Sequence, residues 1–241
     1  MINDEPTTRN EKSRVVVITG ANGNLGAAVT KLFLDNGYHV IATVLKEKNI
    51  QSIETHPNLE VQVVDLSNED EAEKFILGAI SKYINIYAGL MLVGGFTAGD
   101  IANTTGAILK QQFALNFETA FNVAKPLFAH MMNNKEGRLV FIGARPALVP
   151  SYGKNLLAYS LSKSLLFNLA SLLNASAKGT NVTASVVAVS TIDTPINREN
   201  MPEANFEDWV TPEKLAELLK FVVDDDSSIL RETVLKAYNN G

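Results

Sequence analysis

Apolar residues along the chain form short continuous runs, which alternate with longer segments where apolar positions recur every three or four residues. The short runs fit strands buried on both faces, and the longer pattern fits helices that cover them. Strands that are each followed by a helix indicate a parallel sheet. The predicted strands are 14–19, 38–44, 61–65, 86–93, 138–142, 182–189 and 229–235. The predicted helices are 25–36, 69–83, 103–133, 156–178 and 212–223.

This alternation predicts an α/β fold: a single-domain, Rossmann-type, doubly wound parallel sheet with helices on both faces. No linker rich in Pro, Gly or Ser and no internal repeat divides the sequence. One domain is therefore expected over 14–241. The polar stretch 1–13 has no apolar core, so we expect a flexible lead-in and not a signal peptide.

The composition argues against several classes of function. The 241 residues include no cysteine, which excludes disulfides, zinc–thiolate sites and a cysteine nucleophile. The three histidines lack metal-ligand spacing, so no metal site is expected. A net charge of −5 without a basic block argues against nucleic-acid binding. No apolar run is long enough to predict a membrane span. These features fit a cytoplasmic enzyme that acts on a small molecule.

A glycine-rich turn joins the first predicted strand to the first predicted helix. It reads Gly20-Ala21-Asn22-Gly23-Asn24-Leu25-Gly26. Glycines allow a tight turn and a close approach of the backbone to a pyrophosphate, whose charge the helix N-terminus stabilises. The alternative is a strand-to-helix turn that binds nothing. The position between a strand and a helix favours a dinucleotide.

A tyrosine and a lysine form the second motif. Tyr159 and Lys163 are four residues apart, so on a helix they share one face. The lysine charge is expected to lower the pKa of the phenol, which would let Tyr159 exchange a proton near neutral pH. Taken alone, this spacing more often marks an ordinary exposed helix face.

Together, the glycine turn and the Tyr159/Lys163 pair resemble the short-chain dehydrogenase/reductase family, and the resemblance covers the chain from residue 14 onward. It implies hydride transfer between a nicotinamide and a small organic substrate. It also implies that Tyr159 donates the proton, that Lys163 holds the nicotinamide ribose, and that Asn116 holds a water in the proton relay. The implied cofactor contacts, with Asp65 on the adenine side and Thr194 at the carboxamide end, are Gly20, Asn22, Gly23, Asn24, Leu25, Gly26, Val44, Lys46, Asp65, Leu66, Gly94, Gly95, Tyr159, Lys163, Ile192 and Thr194.

Several motifs depart from the simple members of that family. Asn24 stands where the glycine motif has its middle glycine, and Val93-Gly94-Gly95 replaces an Asn-Asn-Ala-Gly motif. The serine expected before the tyrosine is missing, and Ala144 takes its place if two residues are inserted. These departures and the tail 193–209 resemble dihydropteridine reductase, which also lacks the serine. The tail fits a shared lid equally well, and Asn116 resembles the ordinary members.

The candidate substrate contacts are Ala144, Arg145 and Ser151. In carbonyl reducers the serine hydroxyl shares the negative charge that develops on the substrate oxygen, and Ala144 cannot do this. One possibility is that Ser151 or Arg145 supplies the donor, as in an ordinary ketone or 3-oxoacyl reductase. The other is that the substrate delocalises the charge itself, as a quinonoid pterin does.

The residues after the second predicted strand bear on the choice of cofactor. An NAD-specific site has a carboxylate there, but the strand ends at Val44 without Asp or Glu, and Lys46 and Lys48 follow. These lysines fit a 2′-phosphate or, alternatively, plain solvated charges, and Glu47 lies between them. The pattern favours NADP(H) over NAD(H).

The two long predicted helices, 103–133 and 156–178, carry more apolar residues than one sheet-facing stripe requires. Members of the family pair these helices into a four-helix bundle, so the resemblance implies a homodimer or homotetramer. Two rival functions stay open at this point. One is a non-catalytic dinucleotide sensor, and the other is an interaction protein that uses the long helices.

Overall fold

The computed structural model describes residues 14–227, 229–231 and 233–240. The lead-in predicted over 1–13 lies outside these residues. Within them, seven strands form one parallel sheet in the order β3-β2-β1-β4-β5-β6-β7. The strands are β1 (Val15–Ile18), β2 (His39–Val44), β3 (Leu59–Val63), β4 (Ile86–Met91), β5 (Glu136–Ala144), β6 (Asn181–Val189) and β7 (Val234–Ala237).

The strand order reverses between β1 and β4, which opens a crevice at the carboxyl ends of these strands, where open α/β sheets bind ligands. Helices connect the strands and cover the sheet. They are α1 (Asn24–Asp35), α2 (Glu69–Tyr83), α3 (Gly106–Phe113), α4 (Thr119–Asn134), α5 (Arg145–Leu148), α6 (Pro150–Gly153), α7 (Leu157–Ser176), α8 (Pro195–Asn200) and α9 (Pro212–Val223).

Each face of the sheet has its own hydrophobic core. Val16 and Ile18 of β1 pack with α1 and α9, whereas Val15 and Val17 pack with α2, α4 and α7 on the opposite face. Because successive side chains of a strand alternate between faces, a strand that serves both cores is apolar at every position. The predicted α/β fold with a doubly wound parallel sheet is therefore confirmed. None of the helices in the described part of the chain is long and apolar enough to cross a membrane.

The helix predicted over 103–133 differs from expectation. It begins at Gly106 and consists of α3, a π-helical segment Ala114–Glu118 and α4, in direct succession. A π-helical turn takes in one extra residue, so the faces of α3 and α4 are out of phase. Three short helices, α5, α6 and α8, were not predicted, because four to six residues are too few to show a helical period.

Four predicted strands, which correspond to β3, β4, β5 and β7, were wrong by two residues or more at one end or both. β3 stops at Val63 and not at Asp65, because its full length is used in pairing with β2. Asp65 instead turns the chain, and its carboxylate accepts hydrogen bonds from the backbone N–H and the hydroxyl of Ser67. β7 covers Val234–Ala237 instead of 229–235, since these are the residues that pair with β6.

Candidate active site

The glycine turn lies at the carboxyl edge of the sheet. Gly20 has a φ of +69°, a conformation that favours glycine. Its carbonyl accepts a hydrogen bond from Gly23 N at 3.0 Å, and Ala21 N donates to Thr43 O of β2 at 3.0 Å. A Cβ on Gly26 would lie 2.1 Å from the Gly20 carbonyl oxygen. Glycine at this position therefore allows α1 to begin against the end of β1.

The first turn of α1 is open to a ligand. Its N-cap residue, Gly23, has no side chain to cap the helix, whereas Asn68 and Thr211 cap α2 and α9 through backbone N–H groups. Uncapped N–H groups and the helix dipole favour a bound phosphate. The backbone at Asn24 and Leu25 thus fits the pyrophosphate of a dinucleotide. Exposed members of the predicted cofactor set include Asn22, Gly23, Asn24, Lys46, Asp65 and Gly94.

Thr19 connects the end of β1 to the loop after β4. Its buried hydroxyl accepts hydrogen bonds from Leu92 N at 2.9 Å and from Val93 N at 3.3 Å. The next two residues in this loop are Gly94 and Gly95. The hydroxyl of Thr19 therefore fixes where the predicted glycine pair leaves the sheet.

The side-chain amide of Asn116 holds the same loop from the other side. Asn116 is 1% exposed and lies in the π-helical segment. Its Oδ1 accepts from Gly95 N at 2.9 Å, and its Nδ2 donates to Gly95 O, Gln112 Oε1 and Ser162 Oγ at 3.0–3.1 Å. Ser162 in turn donates to the carbonyl of Tyr159 at 2.8 Å. The amide thus connects the glycine pair to α7, and its predicted part in a water relay stays a prediction.

Lys163 is buried in α7 behind the glycine pair. Its Nζ donates to the carbonyl of Ile142 in β5 at 2.8 Å, and burial lowers the pKa of Lys163 to about 8. A Cβ on Gly94 would lie 3.1 Å from this Nζ and 2.8 Å from Asn116 Oδ1. The absence of a side chain at Gly94 therefore leaves room for Lys163 and Asn116 together.

Tyr159 is half-buried one turn before Lys163, and the exposed Phe96 meets its ring edge-on at a centroid distance of 5.2 Å. Burial raises the pKa of Tyr159 to about 12. The expectation that Lys163 would lower this pKa is wrong for this structure. The reason is that lost solvation of the phenolate outweighs the lysine charge, and Lys163 is engaged by the Ile142 carbonyl. At neutral pH the Tyr159 hydroxyl is protonated and suited to donating a proton.

The segment after β6 forms the opposite wall of the crevice. Thr194 caps α8 by accepting from Asn197 N, and the carbonyl of Ile192 accepts from Asn197 Nδ2 at 2.8 Å. A cavity of about 480 Å³ lies between this segment and the start of α1, and Asn24, Thr194 and Arg198 are among its lining residues. The fold therefore brings Asn24 and Thr194 to one cavity, although they are distant in sequence.

The predicted adenine-side residues gather where β2 and β3 end side by side. Val44 is buried at the end of β2, and Lys46 is exposed just beyond it. Leu66 is buried, and its carbonyl accepts from the amide of Asn122 in α4 at 3.0 Å. Asp65 is exposed beside Leu66. Lys46 and Asp65 are thus the exposed members of this group, at an edge that fits the adenosine end of a dinucleotide.

The candidate substrate residues lie in and after β5. Ala144 ends the strand and is 1% exposed, and Arg145 begins α5. Arg145 Nη2 donates to the hydroxyl of Tyr152 at 2.6 Å, and the guanidinium lies 3.8 Å from the Tyr152 ring and 5.0 Å from the Tyr238 ring. Ser151 is exposed in α6, and among the described residues no hydrogen bond joins it to Arg145. The structure therefore holds the Arg145 guanidinium beside two aromatic rings, whereas Ser151 is exposed on α6.

Sequence reasoning missed the polar side chains that support the site. Gln112 is 2% exposed and donates to the Thr97 hydroxyl at 3.0 Å, and Ser162 and Thr19 are also buried. Two signals were available, because Gln112 lies one turn before Asn116 and Ser162 directly precedes Lys163. Buried polar groups are almost always hydrogen-bonded, so polar residues on inward helix faces indicate such a network.

The geometry identifies a class of protein. An open helix turn at the switch point of a parallel sheet fits a dinucleotide, and a neutral tyrosine one turn from a buried lysine fits proton donation. Rossmann-fold oxidoreductases combine these two features. The short chain dehydrogenase family model matches residues 14–205, and the chain belongs to this family. It is an NAD(P)-dependent dehydrogenase/reductase.

Individual relatives are similar over nearly the whole chain. The oxidoreductase YvrD of Bacillus subtilis (strain 168) is 26% identical, covering 92% of this chain and 94% of its own. A dihydropteridine reductase of Dictyostelium discoideum is also 26% identical, covering 93% of this chain and 94% of its own. The solved structure of ElxO with NADP bound has a TM-score of 0.87 at 18% identity, with 95% of this chain and 98% of that chain covered. This last similarity concerns the fold alone.

Proposed function

We propose that this protein is an NADPH-dependent reductase of a flat, conjugated ring compound, with a quinonoid pterin as the candidate substrate. The observation that carries the proposal is the buried Ala144, which has no hydroxyl to share charge with a substrate oxygen. A conjugated ring spreads that charge over its own atoms and does not require the donor. The similarity to a dihydropteridine reductase supports the same reading.

The bound nicotinamide supplies a hydride in this proposal. Tyr159 donates the proton from its hydroxyl, and the neighbouring Lys163 binds the ribose hydroxyls and stabilises the resulting phenolate. Asn116 holds the glycine pair and connects Lys163 to solvent through a water. The backbone of the glycine turn holds the pyrophosphate, and Thr194 contacts the carboxamide. We also propose that the enzyme is cytoplasmic.

The first prediction concerns the proton donor. Tyr159→Phe keeps the ring and its contact with Phe96 but removes the hydroxyl. We expect NADPH oxidation to slow by about two to four orders of magnitude, with NADPH binding and the melting temperature retained. Tyr83→Phe is the control, since the Tyr83 hydroxyl at the end of α2 donates to the carboxylate of Glu60 in β3. A rate near that of the unmodified protein would remove Tyr159 from the mechanism. A protein that binds NADPH but turns over no substrate would be the dinucleotide sensor.

The second prediction concerns the substrate. A ketone reductase without its serine gives up about 3 kcal/mol of transition-state stabilisation, so we expect reduction of a quinonoid dihydropterin and poor reduction of aliphatic ketones. Ala144→Ser should leave quinonoid reduction nearly unchanged and introduce weak ketone activity.

The runner-up is an ordinary ketone or 3-oxoacyl reductase, favoured by the guanidinium of Arg145 directly after Ala144. Efficient reduction of 3-oxoacyl esters, lost in Arg145→Met, together with no activity on pterins, would establish the runner-up and overturn the argument from Ala144.

The third prediction concerns the cofactor. Among the described residues, the chain beyond Val44 offers Lys46 and no carboxylate before Glu47, so we expect tighter binding of NADPH than of NADH. ElxO, of similar fold, binds NADP. Lys46→Ala should weaken NADPH binding by about tenfold, the value of one charge-assisted hydrogen bond, and leave NADH binding unchanged. Lys31→Ala, which removes a distant ion pair with Asp35, is the control. Tighter binding of NADH by the unmodified protein would contradict this reading.

The fourth prediction concerns assembly as a homodimer or homotetramer through α4 and α7. Phe121, Leu161 and Leu172 are 37%, 43% and 67% exposed, and the two leucines are three turns apart on one face of α7. Light scattering at micromolar concentration should give a dimer or tetramer mass. Leu172→Glu should lower that mass, whereas Ile229→Glu, at an exposed position outside these helices, should not. A monomer in the unmodified protein refutes the proposal.

A further inference from the structure

The segment 193–209, here called the lid, leaves the sheet after β6 and returns to it before α9. Two backbone hydrogen bonds close its base, from Asp193 N to Val210 O at 2.8 Å and from Val210 N to Thr191 O at 3.0 Å. The lid carries Thr194 on the wall of the 480 Å³ cavity and ends at Trp209. Its position therefore sets the width of the crevice between Thr194 and the start of α1.

The carboxyl-terminal part of the lid, directly before Val210, is held by the chain that follows β7. Asn239 Nδ2 donates to the carbonyls of Glu207 and Trp209, at 2.8 Å and 3.2 Å. Asn239 has a φ of +52°, a left-handed conformation that asparagine adopts more readily than most residues. The preceding residue is fixed to the sheet, because Ser190 Oγ donates to the Tyr238 carbonyl at 2.9 Å. The amide of Asn239 thus connects the lid to the end of β6.

Other contacts join side chains within the lid. Arg198 forms an ion pair with Asp193 at 2.6 Å and lies 4.6 Å from the Phe206 ring, all within the lid. Phe206 packs against Trp209 with ring centroids 4.8 Å apart. These contacts link the side chains of Asp193, Arg198, Phe206 and Trp209 into one set. Asn239 bonds the carbonyl of Trp209, a member of this linked set, and so anchors the set from outside the lid.

We propose that Asn239 is a positioning residue, which holds the lid and Thr194 against the cofactor crevice through its two hydrogen bonds to Glu207 and Trp209. The kinetic part of this inference rests on the proposed function. Without the amide the lid opens more often, so NADPH dissociates more readily, whereas Tyr159 and Lys163 on α7 are untouched. The binding constant changes and the rate of the chemical step does not.

The lid can be observed directly, because Trp209 is the one tryptophan of the sequence and is 7% exposed. We expect acrylamide quenching of its fluorescence to increase in Asn239→Ala and in Asn239→Asp, which keeps the shape but replaces both donors with an acceptor. Asn239→Gly keeps the backbone conformation, and acrylamide should quench its Trp209 fluorescence as strongly as in Asn239→Ala. Asn240→Ala is the matched control, since Asn240 is the exposed neighbour and should quench like the unmodified protein. Quenching unchanged in Asn239→Ala and Asn239→Asp, with folding verified by circular dichroism, would overturn the proposal.

Binding and turnover separate positioning from a merely structural role. The Kd for NADPH should rise about fivefold in Asn239→Asp, as expected for loss of one to two hydrogen bonds of ordinary strength, while kcat at saturating NADPH stays unchanged. A fall of kcat by about fivefold, with the Kd for NADPH unchanged, would overturn the assignment. Quenching requires no substrate, so it tests the lid even if no pterin is reduced. If no substrate is reduced but acrylamide quenching of Trp209 increases in the variants, the result counts against the proposed function. It does not count against the role of Asn239.

Discussion

The buried amide of Asn116 is the contact on which the geometry of the candidate site depends. It meets both backbone groups of Gly95 and the side chains of Gln112 and Ser162, and Ser162 continues to the Tyr159 backbone. An amide has two donors and two acceptor positions; here three acceptors share the two N–H donors, and one N–H meets the amide oxygen. Leaving such a buried group unpaired costs about 1–3 kcal/mol. Because that cost opposes any separate movement of the partners, the glycine loop and the start of α7 keep one relative position.

Burial shifts the pKa of both ionisable groups of the site toward their neutral forms. Burial disfavours a charge whatever its sign, so it raises the pKa of Tyr159 to about 12 and lowers that of Lys163 to about 8. The two shifts move the pKa values apart, so the neutral phenol is favoured over the phenolate more strongly than in an isolated tyrosine. Such opposed shifts in neighbouring groups are typical of sites where acid and base roles are assigned by environment.

The fold and half of the site follow from the sequence because they depend on local spacing. A short window of sequence is enough to show an apolar strand, a glycine turn before a helix, or Tyr159 one turn from Lys163. Thr19, Gln112 and Asn239 were missed because their partners lie on distant loops, and no spacing reveals such a contact. The direction of the Tyr159 pKa shift was wrong for a related reason. Proximity of a lysine can be read from sequence, whereas the depth of burial that outweighs it cannot.

The π-helical segment Ala114–Glu118 makes chain length a constraint of its own. Gln112 lies before it and reaches Thr97 after β4, whereas Asn122 lies after it and reaches Leu66 after β3. Each residue turns an α-helix by about 100°, so losing one residue from the widened turn would rotate one of these amides away from its partner. Apart from Asn116, the segment can change its side chains more freely than its number of residues. It therefore acts as a spacer that keeps two ends of one crevice in phase.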